Sequence, residues 1–148
     1  MDYYEKKSIL SIATTIVVFG IYYWYVLGTY ESGTLTTQEE LQFWSKAILM
    51  GIPVSIATKI LVFIPFGVYN MIYAKETIPC FEDERDKLIE LKSSRNSYFV
   101  FGAAFGTAMV VMAFGFSPIY MFEAFIVGGI ASDVTDNLSR LFYHRRGI

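Results

Sequence analysis

Residues 8–30 form a run of 23 amino acids without a charge, closed by Lys6 and Lys7 on one side and Glu31 on the other. A helix needs about 20 mostly apolar residues to cross the ~30 Å hydrocarbon core of a bilayer, so a membrane span is expected. A cleaved signal peptide would have a shorter apolar run and a small-x-small cleavage site. This run ends instead in Tyr22, Tyr23, Trp24 and Tyr25, an aromatic cluster suited to a membrane interface. It reads as a retained first span.

The rest of the chain divides by the same rule. Residues 31–40 are a polar loop, in which Thr37 and Glu40 have capping-box spacing and mark a helix start. The following apolar stretch is too long for one span, so 41–46 is assigned to an interfacial turn and 47–74 to a tilted second span. Pro53 and Pro65 fall inside that span and predict kinks. Residues 96–122 carry no charge, and Gly115, Ser117 and Pro118 supply a turn that splits them. Third and fourth spans over 97–116 and 118–138 follow. Residues 83–96 are expected to extend the third span as a cytoplasmic helix. The fold class is therefore an all-α polytopic membrane protein of one domain, with four transmembrane helices.

Composition agrees with that class. Of 148 residues, 54% are apolar and 18% charged, where soluble domains average about 45–50% and about 25%. Twelve Lys and Arg against fourteen Asp and Glu exclude a generally basic nucleic-acid binder. One Cys and one His exclude a disulfide framework and the usual multi-His metal sites. Orientation follows from Lys and Arg. Ten of the twelve lie in the N-terminal segment, the 75–97 loop and the tail, and only Lys46 lies on the opposite side. Both termini and the large loop are therefore expected in the cytoplasm.

Ionisable groups within spans normally face the bundle interior, where they pair or line water. Lys59, Glu123, Asp133 and Asp136 lie in or at the edge of the spans. Asp136 and Arg140 have i,i+4 spacing and form, with Asp133, a second polar cluster. For Lys59 the expected partner is Glu123. The separation from Lys59 along the membrane normal is similar for Glu123 and Asp133, but side chains lean toward their helix N-terminus, which tips Lys59 toward Glu123. An ion or proton pathway is the alternative use of these charges. Gly102 and Gly106 form a G-x-x-x-G on the third span, and Gly128 and Gly129 a small-residue surface on the fourth. Such surfaces let helix backbones approach closely. The spacing leaves open whether the partner is within the chain, which the tight turn favours, or in another copy.

In the cytoplasmic helix, Leu88 and Leu91 give an apolar side that needs a cover, and Asp83, Arg85 and Asp86 supply charges for a partner. Arg145 and Arg146 in the tail suit anionic lipid headgroups. The segment Asp83-Glu84-Arg85-Asp86 with Ile89-Glu90, then Arg95-Asn96-Ser97-Tyr98 entering a span, resembles a segment of small four-helix bacterial inner-membrane proteins of unassigned function. Tyr143, Arg145, Arg146 and Gly147 look like the closing motif of the same proteins. The resemblance implies membrane-linked regulation, since such proteins are often encoded beside a small helix-turn-helix regulator. It supplies no catalytic residues.

No P-loop, H-E-x-x-H, Ser/His/Asp set or C-x-x-C is present. The expectation is a protein without enzymatic activity or cofactor, seated in the lipid bilayer of the inner membrane. It would associate with itself or with a cytosolic or membrane protein partner, and would not bind nucleic acid directly. The rival is a small oligomeric channel or transporter using Lys59, Glu123 and Asp133. An intramembrane enzyme ranks third, for want of a nucleophile–base set.

Overall fold

The computed structural model describes residues 3–30, 35–72 and 84–147. It contains four α-helices: α1 (Tyr3–Thr29), α2 (Thr37–Ile72), α3 (Glu84–Ala113) and α4 (Pro118–Arg146). Three of them, α1, α2 and α3, are long and apolar enough to cross a membrane. The fourth, interrupted by Glu123, Asp133 and Asp136, lies at the centre of the packing. The backbone of α4 meets those of α1, α2 and α3, whereas α3 meets α4 alone.

The helix ends have local causes. At the start of α2 the capping box uses Thr36 and Glu39, one residue earlier than the spacing of Thr37 and Glu40 suggests. The Thr36 amide and hydroxyl donate to Glu39 Oε2 at 2.9 and 2.8 Å, and the Glu39 amide reaches Thr36 Oγ1 at 3.5 Å. The expected turn at 41–46 does not occur. No Gly or Pro lies between Thr37 and Met50, and Trp44, 1% exposed, anchors this stretch against Tyr30. As a result α2 is 36 residues long, about 54 Å, and passes through Pro53 and Pro65 uninterrupted. Gly115, at φ 75°, closes the turn after α3, and Pro118 opens α4 at its first position. The tail after residue 138 is helical too, and α4 stops where Gly147 adopts a left-handed conformation and its N–H caps the Tyr143 carbonyl. Likewise α3 is unbroken from Glu84, so the extension and the third apolar segment are one rod.

The packing is inverted relative to a water-soluble bundle. Ser8, Ser11, Thr15, Asn70, Ser93 and Asn137 are buried, while Trp24, Tyr98 and Phe114 are at least three-quarters exposed. A buried polar set beneath an apolar exterior is the pattern expected of a protein solvated by lipid. The interior is also divided along its length. An apolar cluster of Val26, Trp44, Ala47 and Phe122 lies where α1 ends and α4 begins. The other end is polar, and Glu5 with Arg145, and Tyr4 with His144, bring the start of α1 against the end of α4.

The small-residue surfaces are used unequally. A Cβ added at Gly128 would stand 2.2 Å from the Ala104 Cβ, so this glycine allows α3 and α4 to close. Gly102, Gly106 and Gly129 have open space where a Cβ would go. Gly128→Ala is therefore expected to destabilise the fold by about 1–3 kcal/mol through overpacking. Gly129→Ala should be within about 0.5 kcal/mol of the parent, and paired melting curves in one detergent compare the two.

Candidate functional site

Asp133 is where three helices converge. Lys59 Nζ on α2 donates to its Oδ1 at 2.7 Å, and Thr15 Oγ1 on α1 donates to its Oδ2 at 2.6 Å. Within α4, the Asn137 amide donates to the Asp133 carbonyl at 2.8 Å. Both carboxylate oxygens thus accept, and one side chain fastens α1 and α2 to the central helix.

This corrects the pairing expected from the sequence. Lys59 lies with Asp133, and Glu123 instead accepts the Tyr23 hydroxyl at 3.2 Å. The cause is the long α2. Lys59 comes 22 residues after Thr37, about 33 Å along the axis, while Asp133 is 15 and Glu123 only 5 residues after Pro118, about 22 and 8 Å. Starting the second span at residue 47 placed Lys59 too near the level of Glu123. The slight lean of side chains toward a helix N-terminus cannot make up a difference of that size.

The second cluster, Asp136 and Arg140, forms and extends to α3. Arg140 Nε donates to Asp136 Oδ2 at 2.9 Å, and Nη2 reaches Glu90 Oε1 at 3.3 Å. Among the described residues, Asp136 Oδ1 and the fully buried Ser93 hydroxyl have no hydrogen-bond partner. Along the same α3–α4 seam, Ser97 and Ser132 hydroxyls are 2.7 Å apart, and the Asn96 amide donates to Ser139 and Tyr143 at 3.2 Å each. A cleft of about 290 Å³ opens among the four helices at this end and reaches Lys59 and Asp133; Lys7, Asp86 and Glu90 line it.

The peripheral residues fall as follows. Leu88 and Leu91 are 59% and 70% exposed, so the described residues leave them uncovered. Asp86 faces the cleft, Arg85 is exposed near Gly147, and Asp83 lies outside the described residues. Arg145, assigned to headgroups, pairs with Glu5 at 3.0 Å, and the Arg146 guanidinium lies 4.4 Å from the Phe142 ring. Among the described residues no three His, Cys, Asp or Glu side chains gather as a metal site.

Sequence reasoning missed Thr15, Tyr23, Glu90 and the Ser97–Ser132 contact. A usable signal existed for the first: Ser8, Ser11 and Thr15 recur at i, i+3 and i+7, a polar stripe on one face of an otherwise apolar helix. In comparison with known proteins, no family model, curated sequence or solved structure matches this chain.

A mutant cycle tests the centre. Lys59→Met and Asp133→Asn should each destabilise the fold by about 1–3 kcal/mol, read as a lower melting temperature in detergent. That is less than the ~3–5 kcal/mol of a fully buried pair, because the Lys59 side chain is 44% exposed. The double variant should recover most of the loss. Pairing Lys59→Met with Glu123→Gln should give simple addition.

Proposed function

We propose that this chain is a non-catalytic, four-span membrane protein with both termini in the cytoplasm, and that it self-associates through the outward face of α3 as a regulatory or scaffolding component. One observation carries the reading. On the same helix, Ala104 and Ala108 are spent on α4, whereas Gly102 and Gly106 present an open small-residue surface. In lipid, small residues at such a surface allow the close backbone contact from which helix association draws its energy. Leu88 and Leu91 continue the exposed face of α3 beyond residue 97, where lipid no longer solvates it and a second copy or a protein partner would cover it. The resemblance of the Asp83–Asp86 segment to bacterial inner-membrane proteins supports that location and the regulatory role.

The starts of α1 and α3 and the end of α4 share one end, so the basic residues near them lie on one side, as the proposed orientation requires. In a Cys80→Ser background, Gln38→Cys should react with an impermeant thiol reagent in intact cells, and Lys87→Cys only after permeabilisation. The reverse pattern would reject the orientation. For self-association, Gly102→Ile with Gly106→Ile should shift the protein from dimer toward monomer in mild detergent without lowering its melting temperature. An unchanged oligomer, or a parent that is monomeric at all concentrations, would reject the α3 interface.

A transport role is the second reading, favoured by the cleft that reaches Lys59 and Asp133. Lys59→Leu with Asp133→Asn would abolish solute flux in liposomes if the pair lines a pathway, and would leave a scaffold folded and associating.

A further inference from the structure

On the side opposite the polar cleft, the Lys59–Asp133 pair closes the inner end of a second space. The backbones of α2 and α3 do not meet, and the gap between them is a groove of about 460 Å³ floored by α4. Its walls are apolar and carry four aromatic rings, Phe19, Tyr22, Phe101 and Phe125. That volume is in the range of sites for small organic ligands.

The strongest hydrogen-bonding group with spare capacity at the polar end is a charged donor. Each Asp133 oxygen already accepts one bond, the Tyr22 hydroxyl donates to the Ala47 carbonyl, and the Ser55 hydroxyl donates to the Ile52 carbonyl at 2.7 Å. The Lys59 ammonium has three N–H donors and, among the described residues, uses one, toward Asp133. The unused donors are available to an acceptor presented from the groove. Because Lys59 and Asp133 already balance in charge, a neutral acceptor suits the site, whereas an anionic head would bring an uncompensated charge against apolar walls. The rings favour a flat partner over a bare chain, through stacked or edge-to-face contacts.

We propose that this groove binds a lipid-soluble quinone, with a ring carbonyl accepting from Lys59, the ring among the four aromatic side chains, and the apolar tail leaving between α2 and α3. Gly129 lines the groove and has nothing within 4 Å of where its Cβ would be, so a larger side chain there fills the space without disturbing a packed contact.

The test uses the full chain in detergent, titrated with a decyl-substituted benzoquinone and, separately, with an acyl ester of matching chain length. The quinone should raise the melting temperature in a concentration-dependent way, as a ligand of the folded state does. Gly129→Leu should weaken that binding roughly tenfold or more while melting like the parent, and so should the charge-balanced Lys59→Met with Asp133→Asn. Absence of a shift with the quinone overturns the proposal. An equal shift with the ester overturns it in favour of ordinary acyl lipid. A groove held by a second copy, detected as a disulfide-linked dimer of Gly129→Cys in the Cys80→Ser background, overturns it as well.

Discussion

Two hydrogen bonds to one carboxylate hold this bundle in register. Lipid tails are as apolar as the side chains they touch, so helices in a bilayer gain little from hiding apolar surface from one another. What distinguishes one arrangement from another is close packing and polar pairing. Asp133 supplies the second, accepting from Lys59 on α2 and from Thr15 on α1. Gly128 supplies the first, bringing α4 against Ala104 of α3. Both residues sit on the helix least suited by composition to face lipid, and that helix touches the other three. Its polarity and its central place have one cause: a segment too polar for the outside of a membrane bundle is stable where its neighbours satisfy it.

The interior divides accordingly. Aromatic and aliphatic packing around Trp44 and Phe122 closes one end, and serine, asparagine and charged side chains hold the other. The polar end contains the cleft, lined by Lys7, Asp86, Glu90 and Asp136, a feature of an interior that admits water. The Lys59–Asp133 pair separates that cleft from the apolar groove between α2 and α3. A neutral pair with spare donors is well placed to divide a wet compartment from a lipid-like one.

Most of the element order was legible, because charge-free runs and the Gly115–Pro118 turn are local signals. The length of α2 was not. The reading relied on bilayer thickness to cut the helix near residue 47, whereas a helix continues until something stops it, and nothing stops it between Thr37 and Ile72. That single boundary misplaced Lys59 and with it the choice of Glu123. The Asp136–Arg140 contact was readable because an i,i+4 pair needs no knowledge of the fold. Pairings between helices, such as Tyr23 with Glu123 or Ser97 with Ser132, depend on how each helix is rotated about its axis. In helices so uniformly apolar, periodicity says little about that rotation.

Of the four helices the central one is also synthesised last, which sets an order for their assembly. Lys59 precedes Asp133 by 74 residues, about 4–15 s of synthesis at ~5–20 residues per second. During that interval α1 and α2 have no Asp133 to join them, and the ammonium of Lys59 must stay near water or headgroups. Arrival of α4 would draw the α2 segment into its final depth and close the bundle in one event. An interruption of translation before residue 133 would leave a helix carrying an unneutralised charge, a feature by which membrane quality control could recognise the incomplete chain.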